Sequence, residues 1–266
     1  MTDLARVFTA LARSLAAGKR LLLLTEYDGT LTPIVDDPTG AWLAREVRDD
    51  IAVLARSSSI RVGIVSGRRL DDLRVRVRLP EVIYAGCHGL EMEGPGLSFR
   101  HSIADAKRVT LAAIARALSG RMALLPGVLV EPKGLSVAVH YRNATRGAIR
   151  RLEAELDTLV RGAPGVEVLQ GRDVVEILPS VGWNKGRCAL RIRDHVRATA
   201  PSGLAMVYLA DDSTDELAFW ALDRRAITVR VGGGADTRAT YGLRNVEDVQ
   251  RLLSALAAEV GERSHA

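Results

Sequence analysis

The chain has 266 residues, 47% of them hydrophobic, enough to bury one large core or two modest ones. Lysine plus arginine total 37 against 32 acidic residues, a net charge of +5. The excess is spread along the chain, and with only 4% aromatic residues there is little material for base stacking, so nucleic acid is not an expected partner.

The N-terminal MTDLARVFTALARSLAAGKR is an amphipathic helical pattern with arginines inside it, unlike a signal peptide. No apolar run along the chain approaches the ~20 residues of a membrane span. A cytoplasmic protein with no membrane partner is therefore expected. RLLLLT (20–25) follows as a continuous apolar strand that stops at Glu26-Tyr-Asp28-Gly29-Thr30. At the end of an extended strand, positions i and i+2 face the same way, so both carboxylates can address one ligand. Gly29 allows a sharp turn and Thr30 adds a hydroxyl. The pair suits a carboxylate nucleophile with a neighbouring acid/base and a shared divalent cation; it equally suits a strand-end turn with solvated acids.

Helical text (43–58) then leads to a second strand, IRVGIVSG (60–67). Ser66-Gly67-Arg68 combines a hydroxyl, a flexible backbone and a helix start, the parts of a phosphate cradle, although such tripeptides are usually only turns. In the helix that follows, Arg74, Arg76 and Arg78 are expected to be solvated. EVIYAGCHGLEME (81–93) supplies the next strand, with Cys87 as a small buried thiol. Cys87 and Cys188 make neither a metal cluster nor a disulfide framework. The region 105–183 changes character: alternating LSVAVHY, helical RNATRGAIRRLEAELDTLVRG and alternating VEVLQGRDVVEILPS indicate a small α+β insert. Trp42, Trp183 and Trp220 are expected to pack or edge a cleft, and His101 and His195 to be satisfied or exposed.

Only four of the 37 basic residues are lysine: Lys19, Lys107, Lys133 and Lys185. A compact point charge in EPKG and GWNKG, within an arginine-rich chain, is consistent with Lys185 neutralising phosphate charge, or with chance. MVYLA then leads into Asp211-Asp212-Ser-Thr-Asp215-Glu216. Hard oxygens at a strand end suit Mg²⁺, and the same residues suit a helix cap; both readings can hold together. Apolar strands alternating with helices predict an α/β fold, a Rossmann-like parallel sheet (1–104 and 184–266) interrupted by the insert, with ligands beyond the carboxyl ends of the strands.

In this order and spacing, EYDGTLTPI, VSGR, NKG and ADDSTDE resemble the four motifs of the haloacid dehalogenase superfamily of phosphatases. YAGCHGLEMEGPG, VEPKGLSVAVHYR, GRDVVEILP and VGGGADTRATYGL narrow the resemblance to the trehalose-6-phosphate phosphatase family, from about residue 20 to 245. That resemblance implies Mg²⁺-dependent hydrolysis of trehalose 6-phosphate through a carboxyl-phosphate. Asp28 would be the acid/base and offer its carbonyl to the metal. Ser66 and Lys185 would hold the phosphoryl group, and Asp211 would ligate Mg²⁺ with support from Asp212 and Asp215. Residues 105–183 would form a mobile cap, its Glu131, Lys133 and Glu176 gripping sugar hydroxyls, with Arg68 and His88-Gly89 on the core side. A trehalose-6-phosphate synthase is the implied functional partner. The departure is Glu26, which stands where the family has its nucleophilic aspartate and where it would also meet the metal. Three readings stay open: a phosphatase retuned by one methylene, a pseudophosphatase that binds a sugar phosphate as a regulatory module, or a phosphatase for another glycosyl phosphate.

Overall fold

The computed structural model describes residues 3–233 and 236–265; Gly234 and Ala235 of the VGGGADTRATYGL stretch, and the first two residues of the N-terminal segment, lie outside them. The chain divides into two compact units, Met1–Phe99 with Asn184–Ala266, and Arg100–Trp183. Among the described residues the strands are β1 (Arg20–Thr25), β2 (Ile60–Val65), β3 (Ile83–Gly86), β4 (Glu91–Gly94), β5 (Leu97–Arg100), β6 (Leu129–Pro132), β7 (Val137–His140), β8 (Val166–Gly171), β9 (Val174–Pro179), β10 (Leu204–Ala210), β11 (Ile227–Val231) and β12 (Tyr241–Leu243).

The first unit carries an eight-stranded sheet in the order β12-β11-β10-β1-β2-β3-β4-β5, parallel from β12 to β3 and turning antiparallel at β4. This is the α/β fold read from the sequence. β1 lies between β2 and β10 and is covered on both faces: Leu21, Leu22, Leu23 and Leu24 are all fully buried. Period-two alternation sends Leu21 and Leu23 into a core shared with the helices Asp3–Ala16, Arg45–Arg56 and Val246–His265. Leu22 and Leu24 face the other side, where the helix Lys185–Arg197 lies against β1, β2 and β10. Glu26 continues the parity of Leu22 and Leu24, whereas the buried Tyr27 joins the first core and donates its hydroxyl to the Ala41 carbonyl at 3.0 Å. The sheet's alternation thus aims Glu26 toward the helix that begins with Lys185.

The second unit is a four-stranded antiparallel sheet, β6-β7-β9-β8. Its core joins Val137, Val139, Val175 and Ile177 to Leu111, Leu118 and Met122 of the helix Arg108–Met122 and to Leu152 and Leu156 of the helix Arg146–Arg161. No helix among the described residues is long and apolar enough to cross a membrane.

One surface expectation fails. Arg74 and Arg78 are on the surface, but Arg76 is buried at 8% exposure. It sits one helical turn after Asp72, donates Nε to that carboxylate at 2.8 Å and Nη1 to the Ala41 carbonyl at 2.7 Å, and lies over the Trp42 ring at 4.8 Å. The repeating Arg-Val text hid this, because the 3.6-residue period, not the alternation, decides which arginine turns inward. Arg76→Ala is expected to cost about 3 kcal/mol in denaturant unfolding and Arg78→Ala to stay within about 0.5 kcal/mol of zero; equal costs would contradict this assignment.

Candidate active site

The loops after β1, β2, β3 and β10, with the start of the helix Lys185–Arg197, build one cluster in the first unit. Glu26 keeps the sheet's pairing, its N–H donating to the Leu209 carbonyl at 2.8 Å, so its main chain is fixed while the side chain is 7% exposed. Ser66, fully buried, donates Oγ to Glu26 Oε1 at 3.0 Å. Lys185 Nζ lies 3.2 Å from Glu26 Oε2, and that oxygen has no hydrogen bond. Asn184 caps the helix, its side chain accepting from the Arg187 N–H, and thereby sets Lys185 at the first helical position.

Asp215 is fully buried and holds Lys185 from the far side, with Nζ at 3.0 Å from Oδ1 and 3.2 Å from Oδ2, while Tyr208 donates its hydroxyl to Oδ1 at 2.8 Å. Its role is to anchor the ammonium. Asp212 has a capping role: its Oδ1 accepts from the Ser213 N–H at 2.6 Å. Burial lowers the pKa of Lys185, yet Asp215 and Glu26 outweigh it and the ammonium is held above its ordinary range. Burial pushes the Glu26 carboxyl well above the usual carboxylate range, against the pull of Lys185 and with the push of Asp215, Asp28 and Asp211.

Asp28 does not turn to the same groups as Glu26. Both its oxygens accept from the Arg68 guanidinium, at 2.6 Å from Nε and 2.7 Å from Nη2, and Arg68 also donates to Asp72 at 3.0 Å and to the Pro38 carbonyl at 2.9 Å. Arg68 is therefore the group that orients Asp28. Behind Ser66, the Cys87-His88-Gly89 turn has three successive positive φ angles of 48°, 58° and 87°. It is tied down by the Cys87 N–H to the Arg68 carbonyl (2.7 Å) and the His88 N–H to the Ser66 carbonyl (2.9 Å). Left-handed non-glycine residues are costly and persist where the surroundings over-determine them, often at working sites.

Asp211 accepts from Thr30 Oγ1 at 3.3 Å. Its pKa is pushed up to about 7 by burial first and by Asp215 next, despite the pull of Lys185. Gly29, at φ +76°, passes so close that a Cβ there would meet Asp211 Oδ2 at 2.0 Å, so the turn requires glycine. The residues present fit a divalent cation. Glu26 offers a buried oxygen with no hydrogen bond, and Asp211 is a partly buried carboxyl short of positive charge. A hard cation that keeps several waters takes one or two carboxylates, as these two residues could supply.

In the second unit, register puts Glu131, Ala138 and Glu176 in one row across β6, β7 and β9. Lys133, 7% exposed, donates to Glu176 Oε1 at 2.7 Å and lies 3.8 Å from Glu131 Oε2. His140 Nε2 is 2.9 Å from the same Glu131 oxygen, a neighbour the sequence reading missed because strand pairing is not written in the chain. Burial acts to raise the Glu131 pKa, but the His140 hydrogen bond and Lys133 bring it below the ordinary value.

A mainly parallel sheet with carboxylates, a hydroxyl and an ammonium gathered at its strand ends is the fold of the haloacid dehalogenase-like hydrolases. One of these, from Bacteroides thetaiotaomicron, superposes with a TM-score of 0.59 at 14% identity, over 92% of this chain and 100% of the other. More narrowly, the trehalose-phosphatase family model matches residues 24–247, and the chain belongs to that family. It is 36% identical over 242 residues to a trehalose-phosphate phosphatase of Mycobacterium bovis (strain BCG / Pasteur 1173P2), covering 89% of this chain and 61% of the relative. The chain thus spans about three fifths of that relative's length. The C-terminal domain of the Candida albicans trehalose-6-phosphate phosphatase superposes with a TM-score of 0.78 at 25% identity, over 94% of this chain and 96% of the other.

The Asp211 environment gives a signed expectation. Folded Asp211 holds its proton up to about pH 7, while the unfolded chain releases it near 3.8. The metal-free folded state therefore binds more protons between those values, and this group's contribution to stability is lost as pH rises from about 4 to 7. In chelator, Asp211→Asn is expected to melt about 2–6 °C above the unaltered protein at pH 7.5, with the gap closing toward pH 4. Calorimetry that finds the same gap at both pH values would contradict the assignment.

Proposed function

We propose that the protein is a Mg²⁺-dependent phosphatase that hydrolyses trehalose 6-phosphate to trehalose and phosphate. The observation that carries this reading is the convergence of Ser66 and Lys185 on the Glu26 carboxylate at the end of the central strand, in a chain of the trehalose-phosphatase family. Glu26, Asp211 and the Asp28 carbonyl would hold the cation, with Asp215 steadying Lys185 and Asp212 the loop. Bound Mg²⁺ would supply charge neutralisation at the phosphoryl oxygens and the attacking carboxylate.

In the first step a Glu26 oxygen attacks phosphorus as the bond to the sugar 6-oxygen breaks, and Asp28 delivers a proton to that leaving oxygen. Ser66 and Lys185 hold the phosphoryl oxygens through the transfer. In the second step water attacks the glutamyl phosphate and gives its proton to Asp28; phosphate leaves and the Glu26 carboxylate is restored. Because both Asp28 oxygens accept from Arg68, Arg68 must release at least one of them when Asp28 carries the proton. Within the second unit, Glu131, Lys133 and Glu176 are the proposed sugar ligands, with His140 orienting Glu131. Supply of the substrate by a trehalose-6-phosphate synthase belongs to the same proposal.

Phosphate release from trehalose 6-phosphate with Mg²⁺ tests the proposal. Turnover is expected in the protein as it stands, abolished in Glu26→Gln, and faster in Glu26→Asp by up to about 10²-fold, the effect of a ~1 Å change in the attacking atom's position. Absence of phosphate release from both the unaltered protein and Glu26→Asp would overturn it.

A further inference from the structure

We propose that the Glu26 carboxylate is itself the resting occupant of the phosphoryl seat, an internal anion that a phosphate oxyanion must displace. The inference rests on the reading of Ser66 and Lys185 as phosphoryl-binding groups. These two groups meet the two oxygens of one carboxylate: Ser66 Oγ donates to Oε1 at 3.0 Å, and the Lys185 ammonium forms an ion pair with Oε2 at 3.2 Å. A phosphoryl group presenting two oxygens would require the same two donors. In this arrangement they are already engaged by the carboxylate of a side chain that is 7% exposed.

The length of the side chain produces this occupancy. The backbone at residue 26 cannot retreat, because its N–H is bound to the Leu209 carbonyl at 2.8 Å and its carbonyl accepts from Thr25 Oγ1 at 2.9 Å. The donors are equally fixed. Ser66 lies in a loop whose N–H groups bond the Ala85 carbonyl and Ser66 Oγ, at 2.9 and 3.2 Å, and Lys185 is gripped by Asp215. Glutamate spans the gap between these fixed points. Aspartate would pull the carboxylate back by one C–C bond, about 1.5 Å, beyond hydrogen-bond reach of Ser66. The seat would then be open to an external oxyanion.

Shortening residue 26 while keeping its charge separates displacement from simple repulsion. Inorganic phosphate binding, measured by calorimetric titration in chelator, is expected to be at least about tenfold tighter in Glu26→Asp than in the unaltered protein, as a charge-assisted hydrogen bond is regained. The gain is expected to vanish in Glu26→Asp/Ser66→Ala, with circular dichroism confirming that each variant is folded. An unchanged phosphate affinity in folded Glu26→Asp, or a gain that survives Ser66→Ala, overturns the inference. Turnover reports separately: tighter phosphate binding without hydrolysis would remove the proposed function and leave the occupied seat standing. Hydrolysis without tighter phosphate binding would do the reverse.

Discussion

One buried ammonium between two buried carboxylates sets the terms for the site. Lys185 bridges Glu26 and Asp215 at the carboxyl end of the central strand, where water screens little. Such a group is stable only if every charge is paired, and it gives the fold strong reason to keep these three elements in register. One ammonium does not neutralise its surroundings, however. Asp211 and Asp28 lie close enough to raise the Glu26 pKa, and Asp28 is compensated separately by Arg68. The remaining negative excess at Glu26 and Asp211 is what a divalent cation would relieve.

The precision of the cluster comes from backbones that approach too closely for ordinary side chains. A Cβ at Gly86 would meet the Leu70 N at 2.5 Å, and one at Gly29 would strike the Asp211 carboxylate. These contacts lock the loop after β1 to that after β10, and the loop after β2 to that after β3. The Glu26 carboxylate follows directly on a strand buried on both faces, a rigid support that suits the proposed chemistry, which is sensitive to displacements of an ångström. Glu26 stands at the centre of this frame, its carboxylate in contact with Ser66 and Lys185, the groups proposed to hold the phosphoryl oxygens.

Much of this was legible in the chain because it depends on local pattern. The continuous apolar run 20–25 became β1 at the same residues, and the strands beginning at Ile60 and Leu204 followed the same logic of a sheet covered on both faces. What the sequence could not supply were contacts fixed by tertiary geometry. Tyr208 reads as one more apolar strand residue, yet its hydroxyl joins Lys185 on the Asp215 carboxylate. Glu26 and Asp28, two residues apart, were expected to be able to address one ligand; in this structure their carboxylates meet different cations, Lys185 and Arg68, because Arg68 reaches Asp28 from the next loop. His140 neighbours Glu131 only through the pairing of β6 with β7.

The central claim is that the carboxylate at position 26 carries the phosphoryl group. Rapid quench of turnover with Mg²⁺ and trehalose 6-phosphate, then borohydride reduction and peptide mass spectrometry, tests it most directly, since an acyl phosphate is reduced to an alcohol where a free carboxylate is not. The expected result is reduction at Glu26. Reduction at Asp28, or none anywhere while phosphate is released, would contradict the account.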